Sequence, residues 1–439
     1  MPPSPAPSPG WAVPVESSIL GNGLRVVLSP DPSAPTVVVA VYYRVGFRSE
    51  PRGRSGFAHL FEHLMFQGSA SLGKMEFIRL VQANGGILNG STRHDFTNYF
   101  EVLPAHQLET ALWAEADRMR SLDISEENLA NQRDVVKNEI QVNVHNQPYG
   151  GFPWLDLPQL AFSNWANAHD YYGDFRDLDA ATLEDARAFF RTYYAPNNAV
   201  LVLTGDFVPA EARAMVERHF AGIPRGPEPP AVDEAEPRQE AERRAVKVDR
   251  LANRPALAVG WQLPPRGTAA HRAMWLIDQL LLQGDDSRLV RALVKERGIT
   301  GELTGAINLL GNPWNYAGPM LWTVSLVHDA DRTADEVLAE LDEVVTRFGE
   351  RPVEAAELER ARVKLRSSLY DALGAYFGFG RADLLASCAL FDGDAAGVNR
   401  IEGELAAVNP ELIRETALEW LRRENRTVLA IAPGREAAA

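Results

Sequence analysis

Residues 56–68 read Gly-Phe-Ala-His-Leu-Phe-Glu-His-Leu-Met-Phe-Gln-Gly, a run of helix-forming side chains between two glycines. In a helix of 3.6 residues per turn, positions i, i+3 and i+4 lie on one face. His59, Glu62 and His63 therefore point the same way out of a helix that is otherwise apolar. Unpaired polar groups are costly among apolar side chains, which favours a bound ion on this face over a simple polar surface with a salt bridge.

The spacing of these three residues predicts a metal site. Two imidazoles one helical turn apart can hold one zinc ion through ring nitrogens at about 2.0–2.1 Å. The carboxylate between them lies beside the metal, where it can accept a proton from a water molecule that the metal binds. The order His-x-x-Glu-His is a zinc-protease signature, the reverse of the commoner order. We therefore predict that His59 and His63 are metal ligands and that Glu62 is a general base.

The composition is that of an ordinary globular protein, with 46% hydrophobic and 23% charged residues. At 439 residues the chain is long enough for two or more domains, each with its own core. The net charge of −15 argues against nonspecific binding to nucleic acids or anionic membranes. It is compatible with basic peptide substrates, although an acidic surface that keeps the protein in solution is the simpler explanation.

The N-terminal segment 1–15 is rich in proline and serine, and it lacks the basic start and the apolar run of a signal peptide. No apolar run of about 18 residues occurs, so we expect no membrane span. The single cysteine, Cys388, excludes an intrachain disulfide. We expect a disordered leader over 1–15 and a cytoplasmic protein.

Residues 223–240 combine several prolines with acidic side chains, which is typical of a stiff, extended linker. Beyond the linker, the sequence resembles that of the first half. Residues 276–284 align with residues 60–68, and most aligned positions are identical or conservative. Trp275 and Gln279 then take the places of the two histidines. A second match, near the end of each half, follows in the same order. Chance similarity between amphipathic helices is the alternative, but we infer a duplication in which only the first copy kept its metal ligands.

The third metal ligand is less evident from the sequence. A catalytic zinc ion needs three protein ligands and one open position. Glu139 is the strongest candidate, because in a helix it shares a face with Val135 and Val136 and should point inward, where a carboxylate needs a partner. The sequence alone leaves open a solvated carboxylate or a salt bridge to Arg133 or Lys137.

Three blocks of the first half resemble a known family. They are Gly-Phe-Ala-His-Leu-Phe-Glu-His-Leu-Met-Phe (56–66), Gly-Gly-Ile-Leu-Asn-Gly-Ser-Thr (85–92) with Asp-Phe-Thr-Asn-Tyr-Phe (95–100), and Gln-Arg-Asp-Val-Val-Lys-Asn-Glu-Ile-Gln (132–141). These blocks resemble the pitrilysin/insulinase zinc metallopeptidases (inverzincins), in particular the catalytic subunit of mitochondrial processing peptidase and its short bacterial relatives. The resemblance covers the first half strongly and the second half weakly.

The resemblance implies one Zn²⁺ per chain, held by His59, His63 and Glu139, with Glu62 as the general base. If Glu139 is not the third ligand, Glu127 and Glu101 are the next candidates.

The resemblance also implies a substrate-binding strand at residues 87–91, with Asn89 and Gly90 beside the peptide. An extended peptide can add to an exposed sheet edge by main-chain hydrogen bonds, which hold many sequences in one register. Taken alone, Asn89 is more typical of a turn or a helix cap.

Two positions depart from the family pattern. Two helical turns before the third ligand, relatives usually carry a second glutamate; here Gln132 would face the site but cannot act as a base. In the second half, relatives offer an Arg and then a Tyr that bind the substrate and stabilise the oxyanion. Val294 and Gly301 occupy those places, with Arg291 and Arg297 as possible substitutes for the Arg. We interpret half of the active site as missing from this chain.

The resemblance implies an α+β fold of two duplicated domains, each a mostly antiparallel sheet with helices packed on one face. We expect a catalytic zinc-binding domain at 16–222, the linker at 223–240 and a second homologous domain without the metal motif at 241–439. The expected activity is that of a zinc-dependent endopeptidase on unfolded peptides, for leader or presequence processing or for oligopeptide degradation. We expect a heterodimer whose other subunit lacks the zinc motif and carries the Arg and the Tyr.

Two other classes of function stay open. A set of two histidines and one carboxylate also suits non-haem iron oxygenases, but their ligands normally lie on strands rather than one turn apart on a helix. A non-catalytic scaffold subunit is the other class. Such subunits usually lose a histidine or the glutamate of the motif, whereas this chain has the complete set.

Overall fold

The computed structural model describes residues 12–434. The strands are β1 (Glu16–Ile19), β2 (Arg25–Pro30), β3 (Thr36–Tyr43), β4 (Ile87–Thr92), β5 (Thr97–Pro104), β6 (Ala199–Gly205), β7 (Arg243–Asp249), β8 (Ala256–Gln262), β9 (Thr304–Ile307), β10 (Leu321–Val327) and β11 (Arg426–Pro433). The α-helices are α1 (Phe57–Leu64), α2 (Glu76–Ala83), α3 (Leu108–Arg120), α4 (Glu126–Ile140), α5 (Asp156–Ala161), α6 (Trp165–Ala168), α7 (Phe175–Asp179), α8 (Leu183–Tyr193), α9 (Pro209–Phe220), α10 (Ala269–Leu281), α11 (Ala334–Glu350), α12 (Ala355–Gly374), α13 (Phe379–Ser387), α14 (Ile401–Ala407) and α15 (Pro410–Trp420).

The strands form two sheets with the same design. The first is six-stranded in the order β1-β2-β6-β3-β5-β4, and the second is five-stranded in the order β7-β11-β8-β10-β9. The pairs β2–β6 and β7–β11 are parallel, and every other pair is antiparallel. The predicted α+β class, with two mostly antiparallel sheets and packed helices, is confirmed. The shared strand order also agrees with the inferred duplication, because α1 and α10 follow corresponding strands.

Local sequence signals explain where the helices of the first half begin. Ser125 caps α4, since its side chain accepts a hydrogen bond from Asn128 N. Thr182 and Asp185 form a reciprocal capping box at the start of α8. These caps satisfy N–H groups that have no partner within the helix.

Each sheet is covered on both faces. The prediction placed helices on one face of each sheet, and a helix from the other half covers the second face. The inner face of the first sheet packs on α1 and its neighbours, with Val39 and Leu60 completely buried. Its other face packs on α13 of the second half, where Val202 joins the core of that half. In exchange, α5 of the first half packs on β7, β8 and β11, and Leu157 joins Ala258 in one buried cluster there.

The connection between the halves is irregular but fixed by hydrogen bonds. Glu236 accepts hydrogen bonds from Ser163 N at 2.6 Å and from Asn164 N at 3.0 Å. Residues 1–11 of the predicted leader lie outside the described residues. Val13, by contrast, is buried and its backbone exchanges hydrogen bonds with the Asn399 side chain, so this residue of the predicted leader packs on the second half.

Within residues 12–434, no helix is both long enough and apolar enough to cross a membrane. The cytoplasmic location stays a prediction.

Candidate active site

A buried carboxylate fixes the start of the motif helix α1. Glu50 accepts hydrogen bonds from Gly56 N at 2.9 Å and from Ala58 N at 2.8 Å. Its Oε2 also lies 2.9 Å from Nε2 of the buried His169. A carboxylate here satisfies free N–H groups and interacts favourably with the positive end of the helix dipole. Glu50 therefore positions the helix that carries the predicted ligands.

The structure brings the three predicted metal ligands together. His59 Nε2 and His63 Nε2 are 3.3 Å apart. Glu139 Oε1 lies 3.6 Å from His59 Nε2, and Glu139 Oε2 lies 3.3 Å from His63 Nε2. Among the described residues, these are the His, Cys, Asp or Glu side chains that cluster closely enough to hold a metal ion.

The donor set fits zinc. Ligands about 2.1 Å from a tetrahedral ion lie about 3.4 Å from one another, close to the three separations found here. Burial, together with the neighbouring His63, lowers the pKa of His59 to about 4, so its ring is neutral near pH 7, the form that binds a metal. His59 Nδ1 is buried and has no hydrogen-bond partner among residues 12–434.

Glu139 reaches the site from the border of the buried face of α4. That face contains Val136, which is completely buried, whereas Val135 is 40% exposed. The prediction that both valines share an inward face with Glu139 was therefore wrong for Val135. Lys137 pairs with Asp179 at 2.8 Å instead of with Glu139. Hydrogen bonds from His63 and Tyr172 lower the pKa of Glu139 to about 2 despite its partial burial, so the group is ionised.

Arg133, the other salt-bridge partner considered for Glu139, bonds the Asp179 and Ala181 carbonyls instead. The other acidic candidates for the third ligand also lie elsewhere. Glu101 is buried and pairs with Arg118 at 3.3 Å. Glu127 is exposed in the first turn of α4.

Glu62 lies beside the ligands and contacts the predicted substrate strand. Its Oε2 accepts a hydrogen bond from Thr92 Oγ1 at 2.7 Å. Burial raises the pKa of the Glu62 carboxyl, which makes it a better proton acceptor than an exposed glutamate. Thr92 ends β4, so this contact joins the base to the edge of the first sheet.

Within the described part of the chain, β4 is an edge strand that pairs only with β5. Asn89 is exposed on it, and its Oδ1 accepts a hydrogen bond from Gly90 N at 2.9 Å. The other edge of β4 is thus available to an extended peptide. The specific role of Asn89 and Gly90 in substrate binding stays a prediction.

Tyr172 is a site residue that the sequence reasoning missed. Its hydroxyl donates a hydrogen bond to Glu139 Oε1 at 2.7 Å, and its ring stacks on His59 with centroids 4.9 Å apart. Burial and the Glu139 carboxylate raise the pKa of Tyr172 to about 12, so it remains a donor near pH 7. The segment around it is aromatic and irregular, and no local spacing relates Tyr172 to α1 or α4. Thr92, by contrast, ended a block already recognised in the sequence.

The residues that depart from the family pattern differ in their burial and in their partners. Gln132 is buried, and its amide donates to Asn131 Oδ1 at 2.8 Å. Val294 is half-buried in a π-helical turn, and Gly301 is exposed before β9. Arg297, one possible substitute for the absent Arg, pairs with Glu343 at 2.7 Å.

Arg291, the other possible substitute, lies 3.6 Å from Glu296 on its own helical turn. Both arginines thus already have acidic partners within the second half.

The family model described as Insulinase (Peptidase family M16) matches residues 25–149, and that described as Peptidase M16 inactive domain matches residues 180–365. Zinc protease PqqE of Helicobacter pylori is 31% identical over 295 residues, which are 65% of this chain and 65% of that protein. Mitochondrial-processing peptidase subunit beta of Lentinula edodes is 24% identical over 416 residues, 92% of this chain and 87% of that protein. The crystal structure of a protease from Helicobacter pylori has the same fold, with a TM-score of 0.89 at 24% identity, over 96% of this chain and 100% of that chain.

Proposed function

Because the chain belongs to the insulinase family, peptidase family M16, we propose that it is a zinc-dependent endopeptidase that hydrolyses unfolded peptides. The observation that carries the proposal is the set of His59, His63 and Glu139 donors 3.3–3.6 Å apart, with the half-buried Glu62 beside them. The names of the relatives support a protease, and the complete motif argues against a scaffold that has lost catalysis.

His59, His63 and Glu139 would hold the zinc ion, which would supply a Lewis acid for the scissile carbonyl and a water molecule that is nucleophilic near pH 7. Glu62 accepts the proton of the attacking water and then donates it to the leaving amine. Thr92 holds the Glu62 carboxylate by its hydroxyl and so fixes the direction in which the second oxygen can accept the proton. Glu50 keeps α1, and with it both histidines, in place.

The substrate is proposed to be an extended peptide that adds to β4. Backbone pairing with an edge strand needs an unfolded segment and tolerates many side chains. Thr92 connects that strand to Glu62, which supports a scissile bond near the end of β4. Leader or presequence processing and oligopeptide degradation both fit a substrate of this kind.

We also propose that the active form is a heterodimer with a homologous subunit. Val294 and Gly301 offer no side chain that could bind an oxyanion, and the nearby arginines have acidic partners. A partner that carries an Arg and a Tyr could contribute both groups. The relative named as a processing-peptidase subunit supports this arrangement.

The metal and the activity are tested together on the purified full-length chain. We expect about one zinc per chain by elemental analysis, and slow hydrolysis of an unfolded quenched-fluorescence peptide that stops on chelation and returns with added zinc. Iron in place of zinc, or hydrolysis that survives chelation, would overturn the proposal. Zinc binding with no hydrolysis, even after a homologous subunit is added, would favour a scaffold.

A further inference from the structure

The position of Tyr172 is set by a close contact with the start of α1. Gly56 and Gly173 pack back to back, and a Cβ added to Gly173 would come within 2.7 Å of Gly56 Cα. Both glycines have positive φ, at 83° and 109°, which other residues rarely adopt. Asp170 accepts a hydrogen bond from Tyr172 N at 2.9 Å. The backbone of Tyr172 is therefore held against the helix that carries the two histidines.

The side chain of Tyr172 is held as firmly as its backbone. Its ring lies between His59, at a centroid distance of 4.9 Å, and Trp154, at 5.3 Å in an edge-to-face arrangement. This packing leaves the hydroxyl directed at Glu139 Oε1, 2.7 Å away. The other oxygen, Oε2, is the one that lies 3.3 Å from His63 Nε2. Oε1 is thus bonded to Tyr172 and lies 3.6 Å from His59 Nε2, whereas Oε2 is the oxygen nearer to a histidine.

We propose that Tyr172 is a positioning residue that holds Glu139 as a one-oxygen metal ligand. This inference rests on the proposed function, since it assigns the second oxygen of a ligand in the same zinc site. With Oε1 bonded to the hydroxyl, Oε2 would be the oxygen that binds the ion, and the carboxylate would be kept from using both oxygens. A catalytic zinc site needs one coordination position free for water or substrate, and a carboxylate bound through both oxygens would take it.

The expected size of the effect follows from other metal sites. Partners that hydrogen-bond to metal ligands fix the orientation of those ligands, and their loss typically lowers metal affinity or activity about 10- to 100-fold. Tyr172→Phe keeps the ring between His59 and Trp154 and removes only the hydroxyl. We therefore expect its zinc dissociation constant, measured by chelator competition, to rise about 10- to 100-fold.

A second readout reports the coordination itself. Cobalt(II) substituted for zinc absorbs strongly in the visible range when four-coordinate and more weakly when a further ligand is added. We expect the cobalt form of Tyr172→Phe to lose visible absorption relative to the wild-type chain, because Glu139 can then bind through both oxygens.

The matched control is Tyr171→Phe. The Tyr171 hydroxyl donates to the Asn167 carbonyl and not to a metal ligand. We expect this variant to keep the zinc affinity and the cobalt spectrum of the wild-type chain.

Equal zinc affinity in Tyr172→Phe and the wild-type chain, or equal losses in both tyrosine variants, would overturn the positioning role. Failure of the wild-type chain to bind zinc would instead overturn the proposed function. The two failures are therefore distinguishable in one series of titrations.

Discussion

The helices α1 and α10 occupy corresponding places in the two halves, yet among residues 12–434 only α1 carries histidines of a cluster that could hold a metal ion. In α1, Glu62 lies between two histidines and bonds the hydroxyl of edge-strand residue Thr92. In α10, Asp278 takes the place of Glu62 and accepts hydrogen bonds from Trp322 Nε1 at 2.8 Å and from Gln283 Nε2 at 3.2 Å. The same backbone arrangement thus holds the candidate base in one half and a carboxylate bonded to an indole in the other.

The difference lies in access as well as in ligand type. The His63 side chain is 21% exposed and Glu139 is 29% exposed, so the metal donors border solvent. Asp278 is buried and bonded to the indole of an inner strand, with Trp275 and Gln279 buried in the positions of the histidines. Burial raises the pKa of both Glu62 and Asp278, so a raised pKa alone does not distinguish a catalytic carboxylate from a structural one.

The largest expected effect separates these two carboxylates directly. Glu62→Gln should lower kcat about 10²- to 10⁴-fold while zinc stays bound, because the base is lost and the ligands are kept. Asp278→Asn, the same change in the second half, should leave kcat unchanged. Zinc content and peptide hydrolysis measured on the same preparations check both expectations. Activity of Glu62→Gln within about tenfold of the wild type would contradict the role of Glu62.

The candidate ligand positions of α1 can be compared with the corresponding positions of α10 in the same way. His63→Ala removes one of three donors and should weaken zinc binding by more than about 100-fold, since even the loss of a residue behind the ligands costs up to that much. Gln279→Ala, at the corresponding place in α10, should leave zinc binding unchanged. Elemental analysis after dialysis against a weak chelator measures both. Full zinc occupancy in His63→Ala would show that the ion is held elsewhere.

The features of the two halves that the sequence could predict were mostly those set by residues close together in the chain. The i, i+3 and i+4 spacing placed His59, Glu62 and His63 on one face, and the strand expected at residues 87–91 lies within β4. Glu139 was found by its inward position and by the family resemblance. The error at Val135 arose because helical spacing shows which residues are neighbours but not where the centre of the buried face lies.

The contacts that were missed depend on segments far apart in the chain. Tyr172 reaches Glu139 only because Gly173 packs on Gly56, and neither segment indicates the other. The exchange of α5 and α13 between the halves is of the same kind. Periodicity identifies an apolar face, but the element that covers it is decided by tertiary packing.

Val294 and Gly301, at the positions where relatives are expected to carry the Arg and the Tyr, predict that the isolated chain is a poor peptidase. Adding a homologous subunit with the Arg and the Tyr should raise activity at least about tenfold, since one lost oxyanion donor typically costs about 10²- to 10³-fold. Peptide hydrolysis across a titration of the partner measures the rise. Removal of the partner's Arg or Tyr is the control and should abolish it.

Full activity from the isolated chain, with a homodimer seen by light scattering, would contradict that prediction. Two copies of this chain have the same Val294 and Gly301, so a homodimer cannot supply the absent groups.

The smallest expected effect concerns stability and not catalysis. Burial raises the pKa of Asp278 from 3.8 to about 6. Between about pH 4 and 6 the unfolded chain releases this proton while the folded chain keeps it, so the free energy of unfolding falls as pH rises and stays lower above pH 6. The side chain of Asp278→Asn cannot titrate. Its free energy of unfolding relative to the wild type should therefore increase by about 2 to 3 kcal/mol from pH 4 to pH 7, since one pKa unit corresponds to about 1.4 kcal/mol.

Denaturant unfolding of Asp278→Asn and the wild-type chain across this pH range measures the gain. Asp371→Asn, at an exposed position on α12, controls for the loss of one negative charge. A difference between Asp278→Asn and the wild type that stays constant from pH 4 to pH 7 would show that Asp278 titrates alike in both states. The carboxylate in α10 would then be hydrated, and the contrast with the metal site of α1 would rest on ligand type alone.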